Sequence, residues 1–185
     1  MGMYLEELIA KRHSLRRYAS RQPARETIAA CLEAARTAPS GENAQLWRFH
    51  VVDEPAMRDE LAGAASSGVY LHSKFIRQAP VIIAVLSKTD IKVNRLGAFL
   101  QGVQFYLLDL GIACQQLVLR AEELGLGSCY IGWFAVDKAR EVLRVPKNEH
   151  LVCLLTLGYP PEGYTPPEKH KRKALQEIAR FNREE

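Results

Sequence analysis

Apolar residues along this chain recur at helical intervals in some stretches and form continuous runs in others. Residues 3–11 place apolar side chains on one helical face. A second helix is predicted between Pro23 and Pro39, because apolar side chains there recur at i, i+3, i+4 and i+7. Strands are predicted at 47–52, 79–86, 128–131 and 150–157. Further helices are predicted at 97–124, 136–144 and 172–182.

The order of these elements predicts the fold class. The run at 79–86 is apolar without interruption, which is typical of a strand covered on both faces. Since helices and strands alternate, we predict a single α/β (α+β) domain over 1–185, with a central sheet flanked by helices. From residue 159 the pattern gives way to a Pro-rich segment, predicted to be an extended arm that leads to the last helix.

The predicted helix at 97–124 is unusually apolar. Between Leu96 and Leu119, the only formal charge belongs to Asp109. That carboxylate would cost about 2.5–3.5 kcal/mol at the centre of a bilayer, which argues against a membrane span. A helix with apolar residues all round is better explained by burial in a large core or in a subunit interface.

The composition indicates a globular domain of ordinary size, with 185 residues of which 48% are hydrophobic and 25% charged. The net charge is +4, but the basic residues are scattered among 21 acidic ones, so we expect no nucleic-acid partner. The four cysteines show neither a C-x-x-C pair nor metal-ligand spacing, which predicts reduced thiols and no metal site. Charges in the first turns leave no signal-peptide core, and we expect a cytoplasmic protein with no membrane partner.

A cluster of possible anion ligands follows the first helix. Arg12, His13, Ser14 and Arg16 place two guanidiniums, an imidazole and a hydroxyl within five positions. Arginine pairs bidentately with phosphate or carboxylate oxygens, so this set suits a phosphate group. The simpler alternative is a solvated helix end whose cations complement the helix dipole, and the cluster alone is compatible with both.

A polar turn follows the second helix. Pro39, Ser40 and Gly41 interrupt the helical pattern, and Asn43 and Gln45 add two amides that can donate and accept hydrogen bonds at once. A surface loop without a ligand has the same composition. Taken with the basic cluster, the turn suggests a ligand that has an anionic tail and a planar, hydrogen-bonding head.

Two other kinds of site fail on spacing. Gly125, Gly127 and Gly132 follow a helix and open a strand, the reverse of the order in a dinucleotide-binding fingerprint. The chain has five histidines, but no G-x-S-x-G motif frames a nucleophile. Neither a Rossmann site nor a hydrolase site is therefore predicted.

Several short motifs stand in a specific order, at 11–18, 34–40, 43–49, 125–132, 157–160 and 171–173. Together they resemble the nitroreductase family of FMN-dependent flavoproteins, and the similarity runs nearly end to end. The resemblance implies a nitroreductase-like fold with a mixed central sheet. It also implies a homodimer in which two chains embrace through the long helix and the extended C-terminal arm.

The resemblance further implies FMN as cofactor, NAD(P)H as electron donor and a small-molecule electron acceptor. By motif position, Arg12 and Ser14 would hold the phosphate, with His13 along the same edge. Arg16 would approach the N1/O2 edge of the flavin, where a cation favours the reduced form. The other implied contacts are the turn, the end of the strand and the tail cations: Pro39, Ser40, Asn43, Gln45, Tyr130, Ile131, Gly132, Trp133, Arg172 and Lys173. No obligatory acid or base emerges, so no catalytic residue is predicted.

The resemblance leaves the reaction partly open. The family passes electrons from NAD(P)H to acceptors such as nitroaromatics and quinones in two half-reactions. A specialised reaction such as reductive dehalogenation is one alternative, and a flavin-binding or regulatory protein without turnover is another.

Gly132-Trp133 departs from the Glu-Gly pair of many members. The segment 66–78 has no clear counterpart. Its Lys74 and Arg77 are candidates for a further contact with the flavin or nicotinamide, but a solvated helix face is the favoured interpretation of both.

Overall fold

The computed structural model describes residues 4–88, 102–167 and 172–182. The described helices are α1 (Leu5–Lys11), α2 (Arg25–Arg36), α3 (Pro55–Ala65), α4 (Phe105–Glu123), α5 (Val136–Leu143) and α6 (Leu175–Ile178). The described strands are β1 (Trp47–Val52), β2 (Val81–Lys88), β3 (Gly127–Ile131) and β4 (Glu149–Gly158). Two 3-10 segments, Gly41–Asn43 and Gly68–Gln78, lie between these elements.

The four described strands form one sheet in the order β1-β2-β4-β3, and each neighbouring pair is antiparallel. A parallel element comes from an isolated bridge between Ser14 and Ser128 on the edge strand β3. The predicted α/β (α+β) architecture is confirmed. Among the described residues, its parallel component is this bridge and not a full strand.

Helices cover both faces of the sheet and create two cores. On one face, α2 and α4 pack against the strands through residues such as Ile28 and Leu117. On the other face, α3 and α5 contribute residues such as Leu61 and Ala139. Strand β2 lies between β1 and β4 and is buried from its first residue to Ser87, which confirms the strand predicted at 79–86 as an interior strand.

Two helices, α4 and α6, have bounds that differ from the predicted ones. Helix α4 begins at Phe105 and not at residue 97, because Gly102 turns the chain with a φ of +67°; residues 97–101 lie outside the described residues. The prediction of a last helix at 172–182 is wrong in length. Helix α6 has four residues, all exposed, and without an apolar face against the core so short a helix is not extended by packing.

Helix α4 is apolar on both sides, as predicted. Its buried face includes Leu110 and Leu117, while Leu107, Leu108 and Ile112 are exposed on other sides. Within the described ranges, no helix is both long and apolar enough to cross a membrane.

The four cysteines are free, as predicted. Cys31, Cys114 and Cys129 are buried in the packed interior. Burial raises the pKa of the Cys31 thiol to about 11, so this residue is a neutral thiol at physiological pH.

Gly127 determines how closely the segment after α1 approaches the sheet. A Cβ at this position would lie 2.3 Å from Leu15 Cδ2 and 2.8 Å from Leu15 Cβ. Leu15 is fully buried and has no free space into which to move. The contact therefore requires glycine at 127.

We expect Gly127→Ala to lower the free energy of unfolding by about 1–3 kcal/mol, the usual cost of overpacking a filled site. Urea unfolding followed by circular dichroism measures the change. Gly132→Ala is the matched control, because a Cβ there meets no atom within 4 Å. Equal losses in the two variants would contradict the role assigned to the Leu15 contact.

Candidate functional site

The predicted anion-binding cluster lies on an extended segment at the edge of the sheet. The backbone N–H of Leu15 donates to the carbonyl of Ser128 at 2.9 Å, next to the bridge formed by Ser14. Side chains alternate in extended backbone, so burial of Leu15 directs those of Ser14 and Arg16 to the opposite side. The fold thereby presents a hydroxyl and a guanidinium side by side.

Tyr18 holds the far end of this segment. Its hydroxyl donates to the carbonyl of Leu15 at 2.7 Å and lies 2.6 Å from the hydroxyl of Thr156 on β4. Burial raises the pKa of Tyr18 well above its ordinary value, so the phenol stays protonated and available as a donor. One residue on, the N–H of Ala19 donates to the carbonyl of Tyr159 at 2.9 Å. The segment is thus attached to the sheet at both ends.

The cluster is cationic, and its cations have no carboxylate partner within the described residues. Neither Arg12 nor Arg16 forms an ion pair there, whereas the neighbouring Lys11 lies 3.6 Å from Glu122. Burial raises the pKa of the Cys129 thiol, and the nearby side chains of Arg16, Ser14 and Arg12 oppose that rise. Unpaired guanidiniums around a hydroxyl are the arrangement expected of an anion site.

His13 connects the cluster to the Pro-rich arm. Its Nε2 lies 3.2 Å from the hydroxyl of Tyr164, and the two rings stack with centroids 5.6 Å apart and planes 11° apart. Its Nδ1 lies 3.2 Å from the carbonyl of Lys11, a distance at which a protonated Nδ1 donates to that carbonyl. The described start of the arm therefore folds back beside the cluster.

The predicted polar turn is held by a carboxylate at the start of α4. The N–H of Gly41 donates to both oxygens of Asp109, at 3.2 and 3.3 Å. Within the turn, the N–H of Gln45 donates to Ser40 Oγ at 3.1 Å, and its side-chain amide donates to Asn43 Oδ1 at 3.0 Å. Pro39, at the start of the turn, is exposed.

The backbone of this turn is strained. Glu42, Asn43 and Gln45 have φ values of 53°, 55° and 46°, in the left-handed region that residues other than glycine rarely adopt. Each costs of order 1 kcal/mol and persists because the surrounding contacts impose it. Strained backbone of this kind concentrates at ligand-binding sites, so it agrees with the predicted role of the turn.

One chain does not bring the cluster and the turn together. The turn contacts α4 at Asp109, and the end of α1, just before the cluster, contacts it at Glu122. These two residues are 13 positions apart, which at the helical rise of 1.5 Å corresponds to about 20 Å. The two groups of predicted ligands therefore lie near opposite ends of the same helix.

The predicted contacts at the end of β3 differ in exposure. Ile131 is buried, so only its backbone can meet a ligand. Gly132 is exposed, and the side chains of Tyr130 and Trp133 are 39% and 64% exposed. Burial of its hydroxyl end raises the pKa of Tyr130. This strand end lies directly beyond Ser128 and Cys129 and is continuous with the cluster.

The predicted tail cations, Arg172 and Lys173, are exposed just before α6. Residues 168–171, which join them to the arm, lie outside the described residues. Their contact with a phosphate stays a prediction.

The sequence pattern missed the contacts of Gly68–Gln78. Ser73 Oγ donates to the carbonyl of Trp133 at 2.8 Å, and the Arg16 guanidinium carbon lies 5.7 Å from the centre of the Phe75 ring. Lys74 and Arg77 are exposed, as interpreted from the sequence. A 3-10 segment has no extended periodic face, and the signal that could have singled it out was its three aromatic or histidine rings within six residues, Tyr70, His72 and Phe75.

Family comparison places this arrangement among known proteins. Residues 9–159 match the model of the Nitroreductase family. The chain belongs to the nitroreductase family. The family and the nitroreductase-like fold expected from the motifs are thus confirmed, while the binding role of each residue stays a prediction.

Two relatives and one solved structure are similar to this chain over most of their length. A relative from Archaeoglobus fulgidus named NADH dehydrogenase/NAD(P)H nitroreductase is 30% identical over 158 residues, which cover 83% of this chain and 84% of that protein. An iodotyrosine deiodinase from Thermotoga neapolitana is 26% identical over 198 residues, covering 96% and 97%. The structure of an FMN-dependent nitroreductase from Clostridium difficile R20291 superposes with a TM-score of 0.74, at 26% identity over 96% of this chain and 99% of that one.

Proposed function

We propose that this member of the nitroreductase family is an FMN-dependent oxidoreductase. It takes electrons from NAD(P)H and passes them to a nitroaromatic, a quinone or a related electron-poor acceptor. The observation that carries the proposal is the set of guanidiniums and a hydroxyl held on β3 without a carboxylate partner among the described residues. Family membership and the FMN-dependent nitroreductase of similar structure support the choice of cofactor.

The chemistry of the donor set fits a phosphorylated flavin. Arg12 and Ser14 supply charge-assisted and neutral donors for a phosphate. Arg16 lies beside the same strand, toward Phe75, and supplies a positive charge for the ring. When bound, FMN supplies the centre that accepts and releases hydride. The residues of this chain then contribute position and electrostatic stabilisation, and none is assigned as a catalytic acid or base.

The basic cluster and the polar turn can be regarded as two half-sites. A homodimer with the cofactor between two chains accounts for the distance between them. If two copies of α4 pack antiparallel, the Asp109 end of one helix lies near the Glu122 end of the other. The turn of one protomer then lies close to the cluster of its partner, although the two are about 20 Å apart along α4 within one chain. The exposed apolar residues on α1 and α4 supply the contact surface for such packing: Tyr4, Leu5, Ile9, Phe105, Leu107, Leu108 and Ile112.

Reductive removal of a halogen from an aromatic ring is a second candidate. The likeness to the protein named iodotyrosine deiodinase, over 96% of this chain, favours it. Both candidates need FMN and an aromatic acceptor and differ in the bond that is broken. A flavin-binding protein without turnover would share the site but not the reaction. We place the protein in the cytoplasm, in agreement with its four free cysteines.

Purification provides the first test. We expect a yellow protein that releases FMN on denaturation and oxidises NADH or NADPH when menadione or a nitroaromatic compound is added. Halide release from 3-iodotyrosine under the same conditions identifies the dehalogenation alternative. FMN without turnover on any of these acceptors would favour the non-catalytic alternative, and a colourless protein that FMN cannot reconstitute would refute the proposal.

Arg12 and Arg16 should affect different measurements. We expect Arg12→Ala to weaken FMN affinity by about 1.5–3 kcal/mol through loss of a charge-assisted contact to phosphate. Arg16→Ala, saturated with FMN, should have a lower flavin midpoint potential and slower reduction by NAD(P)H, because a positive charge near the ring is lost. Arg21→Ala is the matched control, since that guanidinium lies over the Tyr159 ring, 4.4 Å from its centre. An unchanged potential in Arg16→Ala would remove this residue from the site.

Mixed dimers test whether the site is shared. Arg12→Ala damages the cluster, and Asn43→Ala/Gln45→Ala damages the turn, so each variant alone should bind FMN weakly. Co-expression forms heterodimers in which one site receives an intact cluster from one chain and an intact turn from the other. We expect flavin binding to be partly restored in the isolated heterodimer. If cluster and turn of the same chain formed the site, both heterodimer sites would stay damaged and nothing would be restored.

A further inference from the structure

The segment Gly68–Gln78 is anchored to the proposed flavin site at two points. Ser73 donates to the carbonyl of Trp133, directly after the strand end predicted to run past the ring. Two residues further on, Phe75 lies under the guanidinium of Arg16 at 5.7 Å. The segment therefore contacts both the end of β3 and Arg16, two parts of the proposed flavin site. No motif assigned the segment a role.

The same segment positions an exposed aromatic pair. The rings of Tyr70 and Trp133 have centroids 5.2 Å apart and planes inclined by 52°, a tilted arrangement in which one ring supports the other. Trp133 is nevertheless 64% exposed, whereas Trp47, the other tryptophan of the chain, is 6% exposed. The neighbouring Val69 and Leu71 are 74% and 53% exposed. An indole is thus fixed by its carbonyl and by Tyr70 while a large part of its surface stays uncovered.

We propose that Tyr70 and Trp133 form the wall on which a planar aromatic electron acceptor stacks. The proposal rests on the proposed function for its place beside the flavin, and it assigns the acceptor site to residues 68–78 and 133. A rigid aromatic surface loses little conformational freedom when a ligand binds, which makes stacking on it favourable. Tyr70 holds the indole in place, and Trp133 supplies the stacking surface. The proposed acceptor has a flat aromatic ring, because an acceptor without such a ring would gain nothing from stacking on this wall.

Tryptophan fluorescence tests binding independently of turnover. In Trp47→Phe, all indole emission comes from Trp133, and titration with menadione should quench it in a saturable manner. Trp133→Phe, whose remaining indole is buried, should show no saturable quenching. If Trp47→Phe fails to fold, the difference between wild type and Trp133→Phe gives the same signal. A linear, unsaturated Stern–Volmer plot for Trp133 would mean an indole that is merely exposed, or covered by a partner chain, and would overturn the proposal.

Acceptor kinetics test the role in the reaction. Tyr70→Ala and Trp133→Ala should raise the KM for menadione about tenfold relative to the KM for ferricyanide, an acceptor with no ring to stack. Tyr70→Phe retains the ring and should keep the ratio of the two KM values within about twofold of wild type. A parallel loss with both acceptors indicates damage to the flavin site and contradicts the proposal, as does an unchanged ratio in both alanine variants.

The two proposals fail in different ways. Wild-type protein without FMN, or without NAD(P)H oxidation by either acceptor, refutes the proposed function, while saturable quenching by menadione would still support the aromatic wall. Wild-type protein with FMN and turnover, but with a KM ratio that does not respond to loss of Tyr70 or Trp133, refutes the wall and leaves the proposed function standing.

Discussion

Attachment of residues 12–19 to the edge of the sheet holds the cluster in place, and the rest of the site is arranged around it. An edge strand presents unpaired backbone groups, and here they accept the segment after α1 through the contact of Leu15 with Ser128. Two glycines permit the close approach. A Cβ on Gly127 would overlap Leu15, and one on Gly158 would lie 2.6 Å from Pro80 and 2.9 Å from Tyr18. Because backbone bonds and buried side chains hold the segment, its guanidiniums need no carboxylates to position them.

Helix α4 sets the distance between the two half-sites, the cluster and the turn. Its first turns hold the polar turn through Asp109, and its last turns hold the end of α1 through Glu122. A helix is a rigid spacer, so flexing within one chain cannot close a gap of about 20 Å. A second copy related by a two-fold axis can close it, because such an axis brings opposite ends of equivalent helices together. The exposed apolar side chains on the outer face of α4 agree with that geometry.

Elements that bury a face were predictable from the sequence. Strand β1 has the predicted bounds, 47–52, and β2 lies within two residues of the predicted run, because a buried face imposes a pattern of apolar residues. The start of α4 was not predictable in this way, since the apolar pattern continues through Gly102, where a φ of +67° is not helical. The length of α6 was overestimated because its apolar residues pack against nothing among the described residues.

The candidate site was predictable only in part, for a related reason. The Arg12 cluster and the Ser40–Gln45 turn are compact in sequence, and their residue types indicate their chemistry. The pairing of Tyr70 with Trp133 joins two segments that are far apart in the chain, and neither segment has a pattern that predicts the contact. The antiparallel order β1-β2-β4-β3 was likewise set by packing between distant strands. The local pattern of apolar residues shows which face of a segment is buried. It does not show which distant segment covers that face.

Features that are unfavourable in an isolated chain concentrate on the proposed site. The turn keeps left-handed residues at Glu42, Asn43 and Gln45, the cluster keeps guanidiniums without described partners, and β3 ends beside a largely exposed indole. Elsewhere in the described structure, cations such as Arg25 and Arg36 are paired with carboxylates. Several such features meet in one region, which indicates that the region is shaped for something outside the chain. A bound anion, a planar ring and a second protomer would each offset one of these costs.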